Sequence, residues 1–509
     1  MIDPRYDYKE LHTNRASGIL LPLFSLPSPY GIGSLGSAAY TFIDFLKTAG
    51  QKYWQILPLG PTGYGNSPYS SMSSFAGNPY FIDLDLLAEE GLLLDHEIQA
   101  VSAPANGRID YGFLYRTRLP LLQKAYRRFI TGAGGTEQLH AFSAAQGSWL
   151  EDYVLFFAIR THVGDTAWYT WPQELRNRRS KTVADMHNTL TDKIGFAVFL
   201  QYLFEKQWQA LKAYAGKAGI EIIGDLPIYC AHDSADVWAH PEVFCINADG
   251  SIAFVGGCPP PDFEITGDLG QVWGTPVYNW EYLKTTGYRW MLDRFKRQAD
   301  FYDVVRLDHF RGYEGFWRIP FGNTGRTGSW EPAGGAAFFS LVQRELPSLR
   351  IIAEDLGYIT KEVADIRKHF GYPSMRILQQ GIFPSGSNEH TPHHYDPATV
   401  LYFGIHDNDP LYVWLAQRNK NELDYFYDYF NLNKNRPIQL ELMKAMSATA
   451  ADTVIYQVQD LLLLNECSRI NVPGSAEGNW EFQLSGGHFN ALTELSDELR
   501  RITRMYGRS

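Results

Sequence analysis

Acidic residues stand where hydrophobic runs of this chain end. Asp225 closes IEIIGDLP (220–227), Asp308 closes DVVRLDH (303–309), Glu354 and Asp355 close RIIAEDL (350–356), and Asp407 closes VLYFGIHD (400–407). A β-branched run ending in a charge is the pattern of a buried parallel strand delivering a side chain to an active face. Like charges gathered there raise one another's pKa, which is costly for structure and useful for catalysis. Paired carboxylates suit glycoside chemistry, in which one attacks the anomeric carbon and a second, kept protonated, donates to the leaving oxygen. A third can stabilise the charge developing on the sugar ring. Asp308, within VVRLDHFRG (304–312), is the expected nucleophile. Arg306 lies two residues away on the same strand face, so the two also read as a structural ion pair. Alternation turns Asp355 away from Glu354, which favours a structural role for it. A rival, metal-assisted chemistry would draw oxygen and nitrogen ligands from His232, Asp233, His406, Asp407 and Asp409. No HExxH or closely spaced histidine pair supports it, and neither a metal nor another cofactor is expected.

Eight strand-like runs position these residues. The four above are joined by Gly18–Leu26, YWQILPL (53–59), MRILQ (375–379) and TVIYQVQD (453–460). Helical spacing intervenes: Ala39, Phe42, Ile43 and Leu46 precede a helix stop at Gly50. Phe196 to Leu211 carry an apolar stripe, and Lys361–Phe370 follows a candidate N-cap at Thr360. Alternating strands and helices predict an α/β fold, a closed (β/α)8 barrel with inserted subdomains at the C-terminal face of the strands. A doubly wound sheet would want a phosphate-binding turn after its first strand. GIGSLG (31–36) has the glycine spacing, but its Pro-containing approach and the lack of a well-placed acid further on argue against it. Residues 1–509 read as a single catalytic barrel. Intervals of about 60–195, 228–300 and 408–452 are too long for simple connections and should wall a cleft.

The net charge of −11 argues against nucleic acid as a partner. The opening MIDPRYDYKELHTNRAS lacks the apolar core of an export signal, and no run is long and apolar enough to span a membrane, so a cytoplasmic protein is expected. The four cysteines are scattered and expected to be reduced. Tyr, Phe and Trp make up 15% of residues, a weak pointer to sugars, whose C–H faces pack on aromatic rings.

Four segments, GDLPIY (224–229), VVRLDHFRG, IIAEDLG and GIHDND, resemble the signatures of the amylomaltases, the 4-α-glucanotransferases also called disproportionating enzymes. The resemblance extends through SLPSPYGIG (25–33), WQILPLGPTGYGNSPYSS (54–71), FAGNP (75–79), DSADVWAHPEVF (233–244), QVWGTPVYNW (271–280) and SRINVPGSAEGNW (468–480), essentially the whole chain. It implies a retaining transfer of α-1,4-glucan segments to the 4-hydroxyl of another glucan or of glucose. It also implies Asp308 as nucleophile, Glu354 as general acid and base, and Asp407 as transition-state stabiliser. Arg306, His406 and Asp225 become sugar-contacting neighbours. Ser67 and Tyr69 become a subsite wall, Gln271 and Trp273 part of a loop over the cleft, and Asn471 part of a loop on the opposite side. The chain departs from the family's usual wording in a longer loop at 256–274 with Cys258 and three consecutive prolines, in Pro410 after HDND, and in SMRILQQG (374–381) and GSWEPAGG (328–335). A retaining α-glucan hydrolase with the same carboxylates, or a catalytically weak glucan-binding protein, are the alternative readings.

Overall fold

All eight runs enter one ladder. In chain order the strands are β1 (Ala16–Leu20), β2 (Tyr53–Gln55), β3 (Glu221–Leu226), β4 (Phe254–Cys258), β5 (Gln271–Pro276), β6 (Val304–Leu307), β7 (Gly315–Pro320), β8 (Ser329–Pro332), β9 (Arg350–Ala353), β10 (Ser374–Ile377), β11 (Thr399–Tyr402) and β12 (Thr453–Gln457). The computed structural model describes residues 15–103, 107–260, 268–475 and 477–509. Strands β1, β12, β11, β10, β9, β6, β3 and β2 close in that order into a parallel barrel. The predicted (β/α)8 architecture is therefore the observed one.

The barrel interior is packed with side chains. Leu20, Ile223, Val304, Ile352, Met375, Val400, Tyr402 and Ile455 form one buried cluster drawn from seven strands, with Tyr53 of β2 packed against it. Because neighbours on a strand alternate faces, the residues two further along Ile223, Val304 and Ile352 also point inward. Those residues are Asp225, Arg306 and Glu354. Register pairs Asp225 with Arg306 across β3 and β6, so opposite charges meet at the top of the barrel. Gly224 faces out, where an added Cβ would lie 2.1 Å from the Tyr302 ring, so only glycine lets that ring pack against β3.

The helix before β3 runs Thr191–Ala218 and buries Phe199, Leu203, Phe204, Trp208 and Leu211. Each such side chain contributes roughly 1.5–3 kcal/mol by leaving water. The helix after β1, Ser37–Thr48, is followed by Gly50 at φ +69°, the left-handed residue expected at its stop. Thr360 does precede the helix Lys361–His369, but its side chain makes no capping hydrogen bond.

Three expectations need correction. The strands are shorter than the apolar runs, and Asp407 lies five residues beyond the end of β11 rather than at a strand end. Asn408 accepts from the Ile405 N–H at 2.9 Å and closes a turn that takes the chain off the ladder before it reaches Asp407. Gln271 and Trp273 occupy β5, not an irregular loop. This strand belongs to a four-stranded antiparallel sheet, β5-β4-β7-β8, that joins the excursion after β3 to a further excursion after β6. Of the long loop expected at 256–274, positions 261–267 lie outside the described residues. Pro410 sits at the N-cap of Leu411–Ala416 with φ −57°, where its missing N–H removes no helical hydrogen bond. Among the described residues, no helix is long and apolar enough to cross a membrane.

Candidate active site

The centre of the site is Arg306. Its Nη1 lies 2.7 Å from both oxygens of Asp225 and 3.0 Å from Asp308 Oδ1, in a position almost sealed from solvent. Asp225 is fully buried, whereas about a quarter of the Asp308 side chain remains exposed. A single guanidinium thus neutralises two carboxylates, one of which can still be reached from the cleft. Burial pushes the Asp225 carboxyl up and Arg306 opposes it. Burying such charges is tolerable only because the pair is complete.

Glu354 follows β9, and its environment is of the opposite kind. Burial pushes its carboxyl up to about 8; Arg306 opposes the shift, and the charge of Asp308 adds to it. Two backbone N–H groups hold it in place: His309 donates to Oε2 at 2.6 Å and Leu356 to Oε1 at 3.0 Å. His309 follows Asp308 directly and has φ +47°, a left-handed conformation unusual for a non-glycine residue. That twist turns its N–H towards Glu354 and so ties the two catalytic candidates together. Asp355, by contrast, accepts from the Met375 N–H and pairs with Arg367 and Arg376, a structural acid.

From Asp225 the contacts continue to the other wall. Tyr69 donates its hydroxyl to Asp225 Oδ2 at 2.7 Å and stacks on His406, ring centroids 5.1 Å apart. His406 Nε2 lies 3.5 Å from Asp407 Oδ2, and Asn471 donates to Asp407 Oδ1 at 2.6 Å. Ser67 spends its hydroxyl on the turn, accepting from the Tyr69 N–H at 3.2 Å. On the Glu354 side, Trp273 meets His309 edge-on at 4.7 Å, and Gln271 accepts from the Trp273 indole at 3.0 Å. Ser67, Tyr69, Asp225, Gln271, Trp273, Arg306, His406, Asp407 and Asn471 are thus joined to the Asp308–Glu354 centre by a continuous chain of contacts.

Three further residues shape the site and were not singled out from the sequence. His309 is half-buried, and its Nε2 is shielded from solvent without a hydrogen-bond partner; this desolvation pushes its pKa down to about 4, so it is neutral. Trp480 packs on both Tyr69 and His406, with centroids 5.7 and 6.0 Å away. Arg469 donates to the Asp407 carbonyl at 2.9 Å and the Asn471 carbonyl at 3.0 Å, and pairs with Asp409. Their signal was present, since all three lie in motif segments already quoted, but spacing gives no reason to pick them out. The five residues of the metal-assisted alternative do not gather. Asp233 pairs with Arg160 and Asp409 with Arg469, and among the described residues no group of three His, Cys, Asp or Glu could hold a metal ion.

An arginine-paired carboxylate open to the cleft, near a buried carboxyl pushed up to about 8, at the top of a barrel, is the layout of a retaining glycoside-processing enzyme. Comparison with known proteins gives the same class. The family model described as 4-alpha-glucanotransferase matches residues 21–489. The 4-alpha-glucanotransferase of Synechocystis sp. is 42% identical over 500 residues, covering 97% of this chain and 98% of the relative. That of Streptococcus pneumoniae is 39% identical over 502 residues, covering 97% of each. An amylomaltase from Streptococcus agalactiae, solved in complex with acarbose, superposes with a TM-score of 0.93 at 36% identity, covering 97% of this chain and 100% of that one. The chain belongs to the 4-α-glucanotransferase family, the amylomaltases.

Proposed function

We propose that the chain transfers α-1,4-glucan segments by double displacement, with Asp308 as nucleophile, Glu354 as acid and then base, and Asp407 as stabiliser of the ring's developing charge. The observation that carries this reading is the unequal setting of two carboxylates. Asp308 is paired with Arg306 and open to the cleft, while Glu354 is buried and pushed up to about 8. Environments that drive two acids apart assign their roles. Attack by Asp308 on the anomeric carbon forms a covalent β-glucosyl-enzyme, and the Glu354 proton passes to the departing sugar's oxygen. Glu354 then takes the proton from the 4-hydroxyl of an acceptor glucan or glucose, which displaces Asp308. Bonds broken and made are alike, so the exchange calls for no metal, nucleotide or redox partner.

Tyr69, His406 and Trp480 give aromatic faces against which a sugar ring can pack, with Asp225 and Arg306 beneath. The excursions at about 60–195, 228–300 and 408–452 belong to one barrel domain in this reading, wall its cleft and keep water from the intermediate. Maltooligosaccharides, starch or glycogen serve as donor and acceptor. Four free cysteines fit a cytoplasmic setting.

The test is to incubate the protein with maltotriose alone, resolve products by length and count reducing ends. A ladder of longer glucans plus glucose at constant reducing ends is the expected result. Rising reducing ends would mean hydrolysis instead, and no products at all would remove the reading.

Arg469 offers a second check. Its guanidinium holds the backbone of both Asp407 and Asn471, so Arg469→Ala frees the stabiliser without touching the nucleophile or the acid. A displacement of about 1 Å in such a group can cost on the order of 10²-fold in rate. A fall in kcat of roughly 10- to 100-fold with little change in melting temperature is expected. Unchanged kcat would show that Asp407 needs no such support.

A further inference from the structure

Beyond Glu354 the cleft rim carries a cation stacked on aromatic rings. Arg311 is buried, and its Nε and Nη1 have no hydrogen-bond partner. Its guanidinium carbon sits 3.8 Å from the centroid of the Trp330 ring and 5.4 Å from that of Tyr358. Two buried donors left unmet are costly, and stacking on these two rings is the compensation on offer. Yet both rings remain open to water: Tyr358 is 71% exposed and Trp330 37%. The arrangement sets two aromatic faces at the surface against one cation, which burial alone would not require.

Their position gives this meaning. Tyr358 lies two residues beyond Leu356, whose N–H holds Glu354. Arg311 lies two residues beyond His309, whose N–H also holds Glu354, so the platform and the acid share one side of the site. Tyr69, His406, Asp407 and Asn471 occupy the other. The sugar that receives the proton from Glu354, and the acceptor that later returns one, must sit on the acid's side.

The geometry points to Tyr358 and Trp330, braced by Arg311, as an acceptor-side subsite that stacks a sugar unit beyond the one next to Glu354. Aromatic faces bind the apolar C–H surface of a glucose unit and leave its hydroxyls in water. A glucose acceptor is too short to reach the platform, whereas a maltotriose or maltotetraose acceptor extends over it. Acceptor length preference is then set here, and Arg311 is a positioning residue that keeps the rings in place.

This inference rests on the double-displacement reading, and the experiment separates the two. Initial transfer rates are measured from a saturating maltooligosaccharide donor capped at its non-reducing end, which cannot itself accept, to glucose and to maltotetraose. The unaltered protein must transfer to both; if it transfers to neither, the functional reading fails and not the subsite. Tyr358→Ala removes an exposed ring and leaves the fold in place. It is expected to raise the KM for maltotetraose about five- to tenfold while leaving KM for glucose unchanged, and Trp330→Ala should act in the same direction. Tyr358→Phe keeps the ring and should restore the parent values. Equal effects on both acceptors, or no effect on either, would overturn the proposal.

Discussion

Asp308→Asn is expected to lower glucan transfer by roughly 10⁴-fold or more while leaving glucan affinity nearly intact. The amide is close to isosteric with the carboxylate, and it still offers an oxygen to Arg306 Nη1, which lies 3.0 Å from Asp308 Oδ1 in the parent. What is lost is the negative charge that attacks the anomeric carbon. Asp225 continues to neutralise Arg306 through both its oxygens, so no buried cation is orphaned and the barrel should hold. The measurements are transfer from maltotriose and binding of the same sugar by calorimetry. Loss of turnover with retained binding supports a nucleophile. Near-full activity would end the double-displacement reading, and loss of both together with a lower melting temperature would return Asp308 to the role of a structural ion-pair partner.

The barrel was legible because each of its strands lies in a short apolar run and helical spacing falls between several of them. Strand ends were not, and the reason is physical. Loops that leave a barrel towards a buried site stay apolar, so composition does not change where the ladder stops. In Gly18–Leu26 the ladder ends at Leu20, and Pro22, which has no N–H to give, leads into a tight turn over Leu23–Ser25. The antiparallel sheet was missed for a different reason. Its strands come from two separate excursions, and β7 pairs with β4 through contacts such as Val255 with Ile319. No local pattern in GFWRIP announces a partner so far along the chain.

The site divides along the same line. Asp225, Arg306, Asp308 and Glu354 could be found from the residues because strand alternation and barrel closure bring them together. Tyr69 could not: its hydrogen bond to Asp225 spans 156 residues, and only the resemblance to a known family pointed to it. Trp273 came the same way, and a strand carries it where the resemblance implied a loop. Arg469 shows the limit of both routes. An arginine that braces two backbone carbonyls leaves no signature in spacing.

Transfer should fail on the alkaline side as Glu354 loses its proton, with a descending limb near pH 8. The sign follows from the shift. A carboxyl raised from 4.5 to about 8 is protonated at pH 7 and able to donate, and it ionises as pH rises through about 8. Burial is the main cause, but the charge of Asp308 contributes, and that charge disappears when Asp308 becomes glycosylated. Glu354 therefore becomes a stronger acid once the first step is complete, which is the change needed for it to act as base towards the acceptor. Glu354→Gln should abolish the alkaline limb and lower transfer from maltotriose by roughly 10²- to 10⁴-fold. Formation of the glucosyl-enzyme from α-maltosyl fluoride, whose leaving group needs little help from an acid, should suffer far less. The same shift acts on the fold: stability contributed by the protonated carboxyl is lost between about 4.5, where the unfolded side chain ionises, and about 8. Tryptophan fluorescence across the pH range separates that loss from the kinetic limb. If the limb persists in Glu354→Gln with the fold intact, another group is the acid, and Glu354 only supports the wall beside Asp308.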